Sequence, residues 1–257
     1  MKTIVLAGGL GTRLHPLTVN LPKPMVPVAN RPMMEYVIYL LRKHKFKDIT
    51  ALLYHQPGTI KNYFGDGSKF GVNINYVEAK EDYGTAGAVK FAAQNFKELK
   101  EPLLVISADL VTDFDLEAII RSHKEKKAFA TMVLTRVANP LPYGIVITDK
   151  NGRIKRFLEK PSWSEVFSDT INCGIYVLDP AVLDYIPTGK SFDFSQDLFP
   201  LLLAEAKPLF GYIAQGLWKD IGNLVEYGKI HYEITGGKPV QIAKGAEIAR
   251  SARTDGV

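Results

Sequence analysis

Residues 3–24 read TIVLAGGLGTRLHPLTVNLPKP, an apolar run followed directly by a glycine- and proline-rich loop. The apolar run at 3–7 predicts a buried strand. Three glycines follow at once, so the backbone can pass close to a ligand and offer its N–H groups to phosphate oxygens. Arg13 and Lys23 stand in the same loop, where prolines and glycines keep the chain extended. The combination favours a phosphate-binding loop over a plain strand-to-helix turn with solvated charges.

Two common glycine motifs do not fit this loop. The dinucleotide fingerprint G-x-G-x-x-G needs a glycine where Leu14 stands, and the P-loop needs Gly-Lys-Ser/Thr, which this loop lacks. An NAD-dependent oxidoreductase is therefore disfavoured.

The pattern on either side of the loop predicts an α/β fold. Short apolar runs alternate with amphipathic segments through the first half, as in parallel strands joined by crossover helices. Strands are expected at 3–7, 49–54, 74–79 and 103–109, and helices at 33–45, 58–65, 85–96 and 116–127. After about residue 128, strand-like runs follow one another and predict an antiparallel or mixed extension, with late helices at 197–206 and 223–235. We expect a Rossmann-like mixed, mainly parallel sheet with helices on both faces.

Two parts of the chain are expected, a main domain at 1–235 and a tail at 236–257. The 257 residues are 46% hydrophobic and 23% charged, which is ordinary for a domain with a full-sized core. Ile242 and Ile248 stand six residues apart in the tail, a spacing typical of the start of a left-handed parallel β-helix. One turn cannot bury its own apolar face, so we expect the tail to pack on the main domain or on a second subunit of a homo-oligomer, or to be disordered.

The charge and the cysteine content limit the classes of binding partner and the compartment that we expect for this protein. The net charge of +5 is too small for a nucleic-acid coat, but residues 1–47 hold eight basic residues and one acidic residue, so an anionic ligand is expected there. The single cysteine, Cys173, excludes an intramolecular disulfide framework and is typical of a reducing compartment. No stretch approaches the ~20 apolar residues of a membrane span. We expect a cytoplasmic protein with no nucleic-acid or membrane partner.

The loop at 6–24, written G-G-x-G-T-R-L-x-P-L-T-x-x-x-P-K-P, resembles the signature of the sugar-1-phosphate nucleotidylyltransferases. Six further pieces similar to that family follow in order: YGTAGA (83–88), ISADLVTD (106–113), PYGIVITD (142–149), FLEKP (157–161), NCGIYV (172–177) and WKDIGN (218–223). The resemblance covers roughly residues 1–235. It implies transfer of a nucleotidyl group from a nucleoside triphosphate to a hexose 1-phosphate, with release of pyrophosphate.

Three runs, at 24–36, 84–89 and 184–203, are most similar to the branch of the family that transfers a guanylyl group to mannose 1-phosphate. GTP and mannose 1-phosphate are therefore the expected substrates. Two alternatives stay open: a UTP- or dTTP-dependent glucose-1-phosphate nucleotidyltransferase, and a non-catalytic sugar-nucleotide-binding regulatory subunit on the same fold.

Such a transfer needs charge neutralisation and positioning more than a general base, because the attacking phosphate oxygen is already ionised. The resemblance assigns Arg13 to the leaving pyrophosphate and Lys23 to the reacting phosphates. It places the nucleotide at Leu6, Ala7, Gly8, Gly9, Gly11, Thr12, Glu78, Gly84 and Thr85. The Glu78 carboxylate is expected to accept hydrogen bonds from the N–H groups of guanine.

The metal and sugar assignments also come from the resemblance. It makes Asp109 and Asp220 the ligands of Mg²⁺, a hard cation that suits two carboxylates with water completing the shell. It places the sugar phosphate at Gly144, Glu159, Lys160 and Asn172. A carboxylate such as Glu159 suits sugar hydroxyls and an ammonium such as Lys160 suits a phosphate.

Several polar residues near these motifs are given structural roles. Asp113 and Asp115 are expected to cap the helix that begins near Leu116. His44 and His123 stand on polar helix ends and are expected at the surface. Cys173 is expected to be a small buried strand residue.

Overall fold

A nine-stranded sheet forms the centre of the computed structural model, which describes residues 1–236. The strands are β1 (Lys2–Ala7), β2 (Pro27–Val28), β3 (Arg31–Pro32), β4 (Asp48–Leu53), β5 (Asn73–Glu78), β6 (Leu103–Ser107), β7 (Leu110–Thr112), β8 (Ala130–Arg136), β9 (Ile145–Thr148), β10 (Ile154–Leu158), β11 (Thr170–Leu178), β12 (Leu209–Ile213) and β13 (Trp218–Asp220). The α-helices are α1 (Met33–Lys43), α2 (Pro57–Phe64), α3 (Gly84–Ala93), α4 (Leu116–Glu125), α5 (Phe199–Ala204) and α6 (Leu224–Thr235). The predicted tail lies, apart from Gly236, outside the described residues.

The strand order is β10-β9-β11-β6-β1-β4-β5, with β8 paired to β11 and β12. β1 runs parallel to β4 and β6, and β4 runs parallel to β5. β11 joins β6 antiparallel and continues into the antiparallel strands β8, β9 and β10. The predicted mainly parallel first half and its antiparallel extension are both confirmed.

Side chains of β1 alternate between the two faces of the sheet, with Val5 on one face and Ile4 on the other. The Val5 face is covered by α1, α2 and α4 and the Ile4 face by α3 and α5, through side chains such as Leu41, Phe64, Ile119, Val89 and Leu202. Since both faces are covered, the parallel strands read as continuous apolar runs. Helices on both faces of the sheet, as predicted, follow from this arrangement.

Short elements were not predicted. β7 and β13 are three residues each and pair antiparallel, with Asp220 opposite Leu110. Strands of this length carry no measurable period, so the sequence pattern around Asp220 indicated only a polar loop.

Two of the structural roles given above are wrong. Asp115 does cap α4 by accepting from Ala118 N, but the Asp113 carboxylate instead accepts from Leu217 N at 2.7 Å and joins two loops. His123 is not a surface residue: it is 3% exposed and its Nδ1 lies 2.9 Å from Thr131 Oγ1.

The His44 side chain is 12% exposed, so it lies only partly at the surface. Cys173 is buried in β11, as predicted. Across residues 1–236 we find no helix with the length and hydropathy needed to cross a bilayer.

Candidate active site

A cleft of about 510 Å³ opens at the carboxyl ends of β1, β4, β5 and β6. Parallel sheets place their ligand sites at this edge, because the loops that leave the strands converge there. The loop after β1 forms one wall, and residues 79–85 and 107–109 form the others. The predicted phosphate-binding loop therefore lines this cleft.

Gly11 fixes the shape of that loop. Its φ is +69°, and a Cβ there would lie 2.9 Å from the Cβ of Lys23 and 3.0 Å from Thr18 Cγ2. Thr18 Oγ1 donates to the Gly11 carbonyl at 2.8 Å. A side chain at position 11 would strain the backbone and push away Lys23, so glycine is required here for conformation and for space.

Lys23 lies between two carboxylates. Its Nζ forms an ion pair with Asp109 and stands 3.5 Å from Asp220 Oδ1. Burial alone would lower the pKa of Lys23, but the two carboxylates together raise it above its ordinary value. The Lys23 ammonium therefore stays charged, and it interacts with the two carboxylates rather than with solvent.

Arg13 adds a second cation on the other side of Asp220. A Cβ built on Gly222 would lie 3.4 Å from Asp220 Oδ2 and 3.5 Å from Arg13 Nη2, so the two groups share one small region. Burial and the neighbouring Asp109 raise the pKa of Asp220, while Lys23 and Arg13 oppose that rise. Two cations and two anions thus converge beside the glycine loop.

The carboxylate pair suits a divalent cation only in part. Within residues 1–236, no group of three or more His, Cys, Asp or Glu side chains is placed to hold a metal ion. Asp109 and Asp220 do converge on one cation, the Lys23 ammonium, and carboxylate oxygens are the ligands that hard cations prefer. These donors fit a cation that takes its remaining ligands from water and from phosphate oxygens.

The nucleotide residues predicted from the sequence mostly meet in the cleft. Its lining includes Leu6, Gly8, Gly9, Gly11, Thr12, Gly84 and Thr85, together with Arg13, Lys23 and Asp109. Ala7 is 1% exposed and lies beneath the lining. Glu78 also lies outside it and forms an ion pair with Lys61 across the surface. The prediction that Glu78 contacts the base stays a prediction, and the carboxylates that do line the cleft nearby belong to Glu81 and Asp82.

The predicted sugar residues form a second group outside that lining. The Gly144 carbonyl accepts from Asn172 N at 2.8 Å, and a Cβ on Gly144 would lie 2.6 Å from Glu159 Oε2. Lys160 Nζ lies 3.7 Å from Glu159 Oε1. Burial raises the pKa of Glu159, and the charge of Lys160 opposes that rise. The structure therefore brings all four residues together.

Two further residues belong to the site and received no role from the sequence. Tyr143 is half-buried and packs against Trp218 with ring centroids 5.3 Å apart, and burial together with Asp220 raises its pKa to about 12. Asp193 lines the cleft beside Thr85. Both lie inside runs that resemble the family, at 142–149 and 184–203, which is a signal that could have located them.

Known proteins are similar to this chain over most of its length. Residues 2–236 match the family model described as Nucleotidyl transferase. The chain is 38% identical over 238 residues to a UTP–glucose-1-phosphate uridylyltransferase of Synechocystis sp., covering 88% of this chain and 61% of that protein. It is 36% identical over 228 residues to a mannose-1-phosphate guanyltransferase of Debaryomyces hansenii, covering 86% and 61%.

A solved structure shows the same fold. A putative glucose-1-phosphate thymidylyltransferase from Bacillus anthracis superposes with a TM-score of 0.81 at 26% identity, covering 91% of this chain and 94% of that chain. The chain spans 61% of the length of the Synechocystis and Debaryomyces relatives.

Proposed function

Because the chain belongs to the nucleotidyl transferase family, we propose that it transfers the nucleotidyl group of a nucleoside triphosphate to a sugar 1-phosphate and releases pyrophosphate. The observation that carries this proposal is the convergence of Arg13, Lys23, Asp109 and Asp220 beside the glycine loop. A reaction between two polyanions needs such a set of charges.

In the proposed reaction, an ionised phosphate oxygen of the sugar 1-phosphate attacks the α-phosphorus of the triphosphate. A new P–O bond forms there, and the bond from the α-phosphorus to the oxygen that bridges it to the β-phosphorus breaks. Pyrophosphate leaves with the electron pair of that bond. The attacking oxygen is already an anion, so the residues of the cleft neutralise charge and hold the reactants in line.

We assign Mg²⁺ to Asp109 and Asp220, where it would neutralise phosphate charge when bound. We assign Arg13 to the leaving pyrophosphate. Lys23 would be available to the reacting phosphate oxygens if Mg²⁺ neutralised its two carboxylates. The backbone of the glycine loop would contact the nucleotide.

On the acceptor side, we assign Glu159 to sugar hydroxyls and Lys160 to the phosphate of the sugar. The Lys160 side chain is 57% exposed, so it can reach an incoming anion. Asn172 and the backbone at Gly144 complete this pocket, and Asn172 Nδ2 is held in place by Tyr176 OH at 2.9 Å.

We propose GTP and mannose 1-phosphate as the substrates, on the sequence resemblance and on relatives such as the Debaryomyces guanyltransferase. Uridylyl transfer to glucose 1-phosphate is the second candidate, because the Synechocystis relative is 38% identical. We also propose a cytoplasmic location, supported by the buried, unpaired Cys173.

A grid of the common nucleoside triphosphates against mannose 1-phosphate and glucose 1-phosphate, with Mg²⁺ and detection of pyrophosphate, tests the proposal. We expect the strongest release from GTP with mannose 1-phosphate. A better rate with UTP or dTTP and glucose 1-phosphate would overturn the substrate pair and leave the reaction class intact. No release from any pair would favour the regulatory alternative, against which the complete set of charged residues argues.

A further inference from the structure

A segment that includes Phe192 and Ser195 lies between the cleft and the sugar group. Backbone N–H groups of Ala86 and Gly87, in α3, both donate to the Phe192 carbonyl at 2.9 Å. A Cβ on Gly84 would stand 2.7 Å from the same oxygen. The segment is therefore packed closely against the start of α3, whose residues Gly84 and Thr85 line the cleft.

The Asp193 carboxylate uses both of its oxygens in this contact. Oδ2 accepts from the Thr85 hydroxyl at 2.7 Å, on the cleft side. Oδ1 accepts from Ser195 N at 2.7 Å and from Gln196 N at 3.1 Å. The Thr85 hydroxyl in turn accepts from Phe194 N at 2.9 Å, so the two sides are interlocked.

Ser195 continues the connection into the sugar group. Its hydroxyl accepts from Asn172 Nδ2 at 3.4 Å. A path of hydrogen bonds thus runs from Thr85 through Asp193 and Ser195 to Asn172, one of the residues assigned to the sugar. Ser195 itself does not line the cleft.

We propose that Asp193 is a positioning residue that couples the nucleotide site to the sugar-phosphate site, so that filling either site strengthens binding at the other. This inference rests on the proposed function, which assigns the two sites. Coupling between two binding sites is reciprocal, because each ligand must change the affinity for the other ligand by the same factor.

The test measures binding of each substrate by calorimetry, alone and with the other site filled, in the presence of a chelator so that no metal-dependent turnover takes place. GTP and mannose 1-phosphate are the probes, or the pair that releases most pyrophosphate in the substrate grid. The variants are Asp193→Asn, Thr85→Val and Ser195→Ala, and Thr85→Ser keeps the hydroxyl as a conservative rescue. Asp184→Asn, which removes an exposed carboxylate from the preceding part of the chain, is the matched control.

The decisive results are the cross effects, meaning the effect of a substitution at one site on the affinity for the ligand of the other site. We expect Ser195→Ala to weaken GTP binding and Thr85→Val to weaken mannose 1-phosphate binding, each by about fivefold or more, the lower end of typical coupling. Asp193→Asn should weaken both, while Thr85→Ser and Asp184→Asn should weaken neither. Melting temperatures measured in parallel show whether each variant is folded, and a structural defect alone would not be rescued selectively by Thr85→Ser.

The coupling is overturned if Ser195→Ala changes only the sugar-phosphate affinity and Thr85→Val only the nucleotide affinity. Pyrophosphate release by the unaltered protein decides the proposed function separately. Cross effects without pyrophosphate release would support the coupling and contradict the proposed reaction. Failure to bind either probe would contradict both proposals.

Discussion

Lys23, whose side chain is only 10% exposed, forms an ion pair with Asp109 at the carboxyl edge of the sheet. Asp220 stands 3.5 Å from the same ammonium, so Lys23 is the counter-ion of two carboxylates from distant parts of the chain. The pair holds a cation before any substrate is present. The proposed Mg²⁺ would compete with the ammonium for these carboxylates, which would link metal binding to the position of Lys23.

Lys23→Met should destabilise the protein in the presence of a chelator, because two partly buried carboxylates lose their counter-ion. We expect a loss of about 2 kcal/mol in the free energy of unfolding, since breaking a partly buried pair costs less than breaking a fully buried one. Millimolar Mg²⁺ should restore most of this loss, and the variant should bind Mg²⁺ more tightly than the unaltered protein does. Urea unfolding and calorimetric metal titration provide the two measurements.

Lys61→Met is the control for that experiment, because it breaks the surface ion pair between Lys61 and Glu78. Its cost should stay within about 1 kcal/mol and should not respond to Mg²⁺. A loss in Lys23→Met that Mg²⁺ leaves unchanged would show that the carboxylates do not hold the metal.

Asp109→Asn and Asp220→Asn should each lower turnover by a factor of about 100 or more, which corresponds to ~2.7 kcal/mol of barrier. Either change removes an anionic ligand from the pair while keeping the size of the side chain. Circular dichroism should show both variants folded, with Asp184→Asn as a fully active control. Retention of more than about a tenth of the activity, only ~1.4 kcal/mol of barrier, would argue against the metal assignment.

Gly87→Ala should destabilise the protein although alanine normally favours helices. A Cβ on Gly87 would lie 2.7 Å from the Lys190 carbonyl, and backbone on both sides prevents a small adjustment. We expect a loss of about 1–3 kcal/mol, typical of overpacking. Gly228→Ala in α6 meets nothing within 4 Å and should instead stabilise by about 0.5–1 kcal/mol. Equal effects of the two changes on the urea midpoint would contradict the close contact between α3 and the segment after Gly189.

The buried His123 should make stability depend on pH. Burial lowers its pKa from 6.5 to about 4, with the charge of Asp179 opposing and that of Lys124 adding to the effect. Between these values the unfolded chain binds more protons than the folded one, so stability is complete above about pH 6.5 and falls as the pH falls toward 4. The loss from this group should reach up to about 3 kcal/mol.

His123→Asn should be less stable at pH 7 but should lose less stability on acidification, as measured by urea unfolding at several pH values. His15→Asn, at an exposed position, should keep the slope of the unaltered protein. Parallel curves for the unaltered protein and His123→Asn would show that His123 does not titrate as its burial implies.

The sequence predicted the parallel core and the glycine loop well, because both rest on local patterns. Apolar runs located β1, β4, β5 and β6 to within about two residues, the usual uncertainty of element ends. Asp109 at the end of an apolar strand was likewise a local feature. These features placed the cleft at the correct edge of the sheet.

Contacts between residues that are far apart in the sequence could not be predicted from the local sequence pattern. β7 and β13 bring Asp109 and Asp220 together, yet each has three residues and no period to detect. The burial of Lys23 follows from the folding of its loop onto both carboxylates. The role of Asp193 depends on a contact with Thr85, which stands 108 residues away in the sequence.

His123 shows a signal that was present but was not used. The buried residues of α4 are Leu116, Ile119, Ile120 and His123. They follow the i, i+3, i+4, i+7 spacing of a buried helix face. The charged residues that follow His123 suggested a polar helix end, whereas the spacing of His123 from the apolar residues of α4 indicates the buried face.

Label transfer from GTP tests the central claim of nucleotidyl transfer most directly. With mannose 1-phosphate and Mg²⁺, phosphorus labelled at the α position should enter a product that resists alkaline phosphatase, as a nucleotide-sugar does. Label at the γ position should be recovered in pyrophosphate, in equal amount. Label from the γ position found on the sugar, or α label found only in GTP, GDP or GMP, would contradict the account.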